Sequence, residues 1–294
     1  MKSKVYFTKN ITSDSLIKMY QVLNIELSGN IAIKLHSGEE GNQNFVKPLF
    51  VKPLIDYLKG TVVECNKAYE GSRNETKKHQ ELLKKHGWSK YFKVDLLDSE
   101  DEIELSIPDG LVIKKNYVGK NIEKYDSMLV LSHFKGHPMG GFGGALKQLS
   151  IGLASSNGKS YIHSAGKVKS QDVLWSNIAP QDKFLESMAD AAESIINYFP
   201  KKIAYINIMV NLSVDCDCCS DAEDPCLKDI GILSSLDPVA LDKACLDLIY
   251  NSNDPGKNHF IERVESRNGI HLIETATNKN LGNIEYELID VDKN

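Results

Sequence analysis

The sequence predicts an α/β protein with a mixed, mainly parallel sheet flanked by helices, laid out as one sheet or as two α/β lobes with a cleft between them. Three observations support this. Short apolar runs such as Ile31–Leu35, Ser127–Leu131 and Ile203–Val210 have the length and content of buried strands. Helical patterns separate these runs, the clearest from Gln181 to Tyr198. Turn residues punctuate the chain, and no internal repeat or low-complexity tract interrupts the alternation.

The elements follow in order. Gly29 and Gly38 bracket the Ile31–Leu35 strand, and Phe50, Leu54, Ile55 and Leu58 then mark a helix within 45–58. Gly60 stops that helix before the strand Thr61–Cys65. Residues 74–86 read as a polar, exposed helix ending at Gly87. The strands 102–107 and 111–117 pair antiparallel about Pro108-Asp109-Gly110, where proline presets φ and glycine tolerates a positive one. Ser127–Leu131 is the central strand, followed by a glycine-rich stretch and helix-compatible residues 145–154. Phe184, Leu185, Met188, Ala192, Ile195 and Ile196 form the apolar face of the 181–198 helix, which closes at Pro200. After the strand 203–210 and a short strand at 230–233, Asp237 caps a helix through Leu248 with Pro238 at its first position. Residues 285–291 form a last strand.

Composition narrows the function. Thirty-five basic against 40 acidic residues in 294 lack the basic excess of a nucleic-acid-coating protein. No apolar run approaches the roughly 20 residues of a membrane helix, and residues 1–7 carry no signal-peptide core. The expected location is cytoplasmic, with no nucleic-acid or membrane partner.

Six cysteines are ordinary for this length, but Cys216, Cys218, Cys219 and Cys226 crowd into eleven residues. The cytosol keeps thiols reduced, so such crowding suggests a metal ion or an iron–sulfur cluster with those four as ligands. From Asp215 to Asp229 the loop carries six carboxylates and one lysine. Carboxylates disfavour a neighbouring thiolate, which makes the loop unsuited to a nucleophilic cysteine unless a cation is present. The C-x-C-C-x6-C spacing matches neither zinc ribbons nor bacterial ferredoxins. A turn-rich acidic loop with incidental cysteines is the plainer alternative.

A second constellation, His133-Phe134-Lys135-Gly136-His137 through Gly140, Gly141, Gly143 and Gly144 to Lys147, follows the central strand, where open α/β sheets place ligands. Its histidines and lysines suit proton transfer and anion binding, and its glycines permit close backbone approach. We assign catalytic roles to His133, His137 and Lys147, and ligand contacts to Lys135, Gly143 and Gly144. His36, Glu39 and Asn42 follow another strand and complete the expected ligand site. Asn66, Tyr69, Gly71 and Arg73 follow a third in the same way. His79, His86, His259 and His271 are expected on the exposed surface, and Cys65 and Cys245 in the core.

These motifs, with Asp215-Cys216-Asp217-Cys218 and Asp229-Ile230-Gly231-Ile232-Leu233 leading into Asp237-Pro238-Val239-Ala240, resemble an uncharacterised iron–sulfur-centre family built on domain of unknown function 362. The resemblance runs from about Ile31 to Leu248 and implies a single family domain over 1–294, divided into lobes near 120–130. Many members carry a ferredoxin-like insert of cysteines, and 164–194 here has none. Any cluster would therefore use the 216–226 cysteines. The order histidine, Gly-Gly, lysine and Gly152-Leu153-Ala154-Ser155 is also similar to a loop of the nickel-pincer lactate racemase family, whose lysine carries the cofactor. That likeness implies a small organic acid or cofactor near Lys147. The expected function is a metal-dependent oxidoreductase or isomerase with a small anionic ligand and a redox protein partner. A non-redox enzyme on a carboxylate or phosphate and a zinc-stapled binding module are the alternatives.

Overall fold

The computed structural model describes residues 2–293. The first half of the chain contains β1 (Ser3–Thr8), α1 (Ser13–Gln21), β2 (Ile31–Lys34), α2 (Pro48–Leu58), β3 (Thr61–Glu64), α3 (Thr76–Lys85), α4 (Trp88–Tyr91), β4 (Asp95–Leu96), β5 (Glu102–Ser106), β6 (Lys115–Gly119) and β7 (Ser127–His133). Next come β8 (Lys135–His137), β9 (Gly141–Gly143), α5 (Ala145–Lys147), α6 (Ser156–His163), α7 (Gln181–Tyr198) and β10 (Ile203–Met209). The chain finishes with β11 (Gly231–Ser235), α8 (Pro238–Tyr250), α9 (Lys257–Ser266), α10 (Ile270–Asn278) and β12 (Tyr286–Asp290).

Eight strands form one sheet in the order β12-β1-β11-β10-β7-β2-β3-β4. Its pairings are parallel except those of β11, which opposes both β1 and β10. The expected mixed, mainly parallel sheet is therefore present. Because strand side chains alternate between faces, the apolar runs feed two cores at once. Ile33, Val62, Leu129, Leu131, Ile206 and Ile208 point toward α1 and α2 on one face. Ala32, Val63, Met128, Val130 and Tyr205 meet α7, α8 and α10 on the other. No helix among the described residues is long and apolar enough to cross a membrane.

The β5–β6 pair is antiparallel, as expected, but it stands apart from the sheet and its second strand begins at Lys115 rather than at residue 111. The buried Asp190 carboxylate of α7 holds this excursion in place. It accepts the backbone N–H groups of Leu111, Val112 and Ile113 at 2.7–3.0 Å and lies 2.9 Å from the Lys279 ammonium. The side chain of Asp237 caps α8 through the N–H groups of Val239 and Ala240, as expected.

Two regions differ from expectation. The glycine-rich stretch is not a loop but a small hairpin, β8–β9. The helix expected over 145–154 is a single α-helical turn that widens into a π-helical turn, Gln148–Gly152. Such widening inserts an extra residue per turn and recurs at functional sites.

Leu129, fully buried on β7, makes a direct test of the two-layer core. Leu129→Ala should cost about 2–5 kcal/mol in urea unfolding with an unchanged slope.

Candidate functional site

Strand order locates the site. From β2 the chain steps outward through β3 to β4, then returns to place β7 on the other side of β2 and β10 beyond it. The order reverses between β2 and β7, and loops leaving the carboxyl ends of neighbouring parallel strands diverge at such a point to leave a crevice. Here the segments after β2, β3 and β7 and the cysteine loop after β10 surround a cavity of about 580 Å³.

The histidine-bearing hairpin and the cysteine loop meet in one site. Asp217 Oδ1 lies 2.8 Å from His133 Nδ1, and its Oδ2 lies 3.1 Å from Lys135 Nζ. The Gly136 N–H donates to the Ser213 carbonyl at 2.8 Å. A Cβ on Gly136 would stand 2.2 Å from the Val214 carbonyl oxygen, so only glycine allows this approach. The segment after β2 closes the third side. Asn42 Nδ2 donates to the carbonyls of Cys216 and Cys219 at 3.3 and 2.9 Å, and the Glu39 N–H donates to Asp217 at 2.8 Å.

These contacts sort the expected site residues into two groups. His36, Glu39, His137, Lys147, Cys218 and Cys219 line the cavity. Cys216 is buried behind them, its Sγ 3.7 Å from the Lys147 ammonium and within hydrogen-bonding reach of the Cys218 N–H at 3.4 Å. The other group is occupied with holding the walls. Both ring nitrogens of His133 face oxygens, from Asp217 and from Val210 at 2.6 Å. Lys135 is committed to Asp217 and the His133 carbonyl, and Asn42 to the cysteine loop. Gly143 packs on the stems of Lys135 and Lys147, while a Cβ on Gly144 would strike the Asp242 carboxylate that caps Ala145 and Leu146. Cys226 turns its thiol to the Leu212 carbonyl at 3.3 Å.

One group of donors has metal-site spacing among the described residues. His137, Cys216 and Cys218 offer ligand atoms all within 4.8 Å of one another. His137 Nδ1 accepts the N–H groups of Met139 and Gly140 at 3.2 and 2.8 Å, so the neutral ring carries its proton on Nε2.

Arg73, expected after the third strand, and several residues that the sequence did not single out complete the walls. Lys67 lies 2.7 Å from Glu39, and Arg73 bridges Glu39 and Glu64 at 3.4 and 3.8 Å. Lys34 pairs with Glu64 at 2.9 Å beneath them. Lys159 and His163 project from α6, one helical turn apart, which is the signal that could have revealed them. Four buried cations, Lys67, Arg73, Lys147 and Lys159, line the cavity against two buried carboxylates, Glu39 and Glu64, while three further lining carboxylates, Glu40, Glu70 and Asp221, are exposed to water.

This positive surplus shapes the titrating groups. Burial, reinforced by Arg73 and by Lys147, Lys135 and Lys34, holds His36 well below the usual imidazole range. Its Nδ1 accepts the Gly38 N–H at 3.1 Å, so the neutral ring carries its proton on Nε2. Burial opposes ionisation of Glu64, but Lys34 and Arg73 outweigh it and bring the carboxyl down to about 2. Burial likewise works against charge on Lys147, yet Cys216, Cys218 and Asp217 raise its pKa above the ordinary value. Burial pushes the Cys65 thiol up to about 12, in keeping with a core residue. His79, expected at the surface, is instead fully buried, with Nδ1 facing Asn66 Oδ1 at 3.1 Å. His86 and His271 are half-buried and His259 is exposed.

A family model, the domain of unknown function DUF362, matches residues 31–247. The chain belongs to the DUF362 family. All four cavity-lining segments of this DUF362 protein fall inside the matched span. No curated protein matches it. Among solved structures it is similar to the lactate racemase apoprotein from Thermoanaerobacterium thermosaccharolyticum, at 14% identity and a TM-score of 0.44 over 70% of this chain and 50% of that one. It is also similar to a protein from Thermotoga maritima solved by the Northeast Structural Genomics Consortium, at 14% identity and a TM-score of 0.44 over 90% of this chain and 58% of that one. The DUF362 chain thus spans between half and two thirds of each relative, and at this overlap neither likeness carries a functional argument.

Two buried histidines give the site a testable acid limit. Burial leads in holding His79 at about 3 and His163 at about 4, against 6.5 for a free imidazole. Below pH 6.5 the unfolded chain binds protons that the folded chain refuses, so stability is full above that pH and falls as pH drops toward 4. Replacing both residues by Gln should flatten the slope of unfolding free energy between pH 6.5 and 4.5; an unchanged slope would exclude them as its source.

Proposed function

We propose that the cavity binds a small organic anion, a carboxylate or a phosphate, and acts on it at a soft-metal centre made by His137, Cys216 and Cys218. One observation carries this reading. A surplus of buried cations and a convergent imidazole–dithiol group share the walls of one cavity at the switch point of the sheet.

The donor set fits a thiophilic ion, since two thiols and one imidazole are the usual partners of zinc and similar metals. Three protein donors also leave a coordination position for a ligand. A bound ion would supply Lewis-acid polarisation of a ligand oxygen. An iron–sulfur cluster has less support, because such clusters usually take four thiolates and Cys226 is turned to the Leu212 carbonyl.

The chain's own residues carry the remaining work. Lys147 and Arg73 neutralise the anion, and the burial of both groups strengthens that attraction relative to water. Glu39 and Glu64 hold Lys67, Arg73 and Lys34 in position, so the cationic wall is set before any ligand arrives. His36, kept neutral, presents its Nε2–H as a hydrogen-bond donor.

Calorimetric titration with inorganic phosphate and with acetate tests the anion site. Lys147→Ala and Arg73→Ala should each weaken binding at least about tenfold, in line with loss of a charge-assisted hydrogen bond. Wild-type affinity in both variants would refute the reading.

Metal titration with Co²⁺, followed by thiolate-to-metal absorption in the visible region, tests the centre. Both thiols must give up protons to hold the ion, and the His137 ring must bind as the tautomer with its proton on Nδ1, so affinity should rise steeply with pH as the thiols ionise. The absorption should vanish in Cys216→Ser and Cys218→Ser and persist in Cys226→Ser.

A further inference from the structure

The charged floor of the cavity is only part of its lining. The lining also has an apolar part, Ala68, Tyr69, Pro138, Met139, Ile151 and Trp175, with Trp175 at the solvent-exposed side beside the exposed carboxylates Glu40, Glu70 and Asp221. Trp175 is the most exposed large hydrophobic residue of the described chain, at 62% of its possible surface. It lies in the segment between a short 3-10 turn, Gln171–Val173, and α7. Its ring stands 5.9 Å from that of Tyr69, tilted by 54°.

Tyr69 connects the mouth to the floor. Its ring is half-buried, its hydroxyl is buried toward Cys218, and the Lys67 ammonium lies 4.8 Å from the ring centre. One residue thus touches the aromatic mouth, the cationic wall and the thiol centre.

Size points the same way. A cavity of about 580 Å³ falls within the roughly 300–1,000 Å³ of clefts that enclose drug-sized ligands. A two- or three-carbon acid on the cationic floor would leave most of that space, and the Tyr69–Trp175 pair, without a partner. An indole left in water has an unmet apolar surface, and planar rings are its natural partners.

From these features we propose that the ligand is an organic anion with a planar, apolar or aromatic body. Its carboxylate or phosphate meets Lys147 and Arg73, and its body lies along Tyr69 and Trp175 at the mouth. This rests on the anion-binding reading above and names the class of molecule it takes.

Calorimetric titration of the full chain with phosphate against phenyl phosphate, and with acetate against phenylacetate, tests it. The aromatic member of each pair should bind at least tenfold tighter. In Trp175→Ala the ratio of the two affinities should fall toward one, and in Trp175→Phe most of it should return. Trp175 is exposed, so its replacement leaves the core intact, and the thermal unfolding midpoint checks this. Equal affinities within each pair in the wild type, or a ratio that survives Trp175→Ala, overturns the proposal while leaving the anion site standing. If neither phosphate nor acetate nor either aromatic anion binds, the anion site itself fails, and this inference falls with it.

Discussion

The buried Asp217 carboxylate, held between the His133 imidazole and the Lys135 ammonium, is the joint on which the site depends. Burial alone would raise its pKa, but those two partners hold it well below the usual carboxylate range. Taking such charges out of water costs several kcal/mol per ion and is offset only by close, well-directed partners. The position of Asp217 in the chain gives the joint a second effect. Cys216 and Cys218 flank it, so anchoring residue 217 to the end of β7 also fixes both thiols beside His137.

The acidic character of the cysteine loop reads differently in three dimensions. Carboxylates near thiols should suppress thiolates, yet Asp217 is committed to His133 and Lys135, and Asp215 to Arg263 at 2.8 Å. The charge nearest Cys216 is instead the Lys147 ammonium. Lys147 thus brings a cation to the loop from elsewhere in the chain, although burial still pushes the Cys216 thiol up. Similar pairing organises the opposite wall, where Glu39 and Glu64 hold three cations in place and leave Lys147 and Lys159 to set the sign of the buried floor.

Much of the sheet was legible in sequence because β2, β3, β7 and β10 are buried on both faces and so are continuously apolar. The long amphipathic pattern of α7 and the Asp-Pro start of α8 were equally plain. Strand β1, between β12 and β11, mixes Ser, Lys and Thr with its apolar residues, and α6 is rich in Ser, Asn, Gly and His, so neither has a periodic signature. Missing α6 meant missing Lys159 and His163. The two loops rich in His, Gly and Cys stood out by composition, but their meeting depends on β7 and β10 being neighbours. Which residues face the cavity and which brace it follows from hydrogen bonds made across 70 to 180 positions of chain. No local pattern separates His133 from His137, although the first is enclosed by Asp217 and Val210 and the second lines the cavity.

The stitching of the cysteine loop has a thermodynamic consequence. Glu39 and Asn42 after β2, Gly136 in β8 and Arg263 in α9 bind its backbone from three parts of the chain, and Asn44 holds it further along at Glu223. A loop of this length left free would lose backbone entropy of order 1–2 kcal/mol per residue when a guest ordered it. Here that loss is met during folding, so whatever occupies the cavity finds a preorganised host and spends little of its interaction energy on arranging the walls.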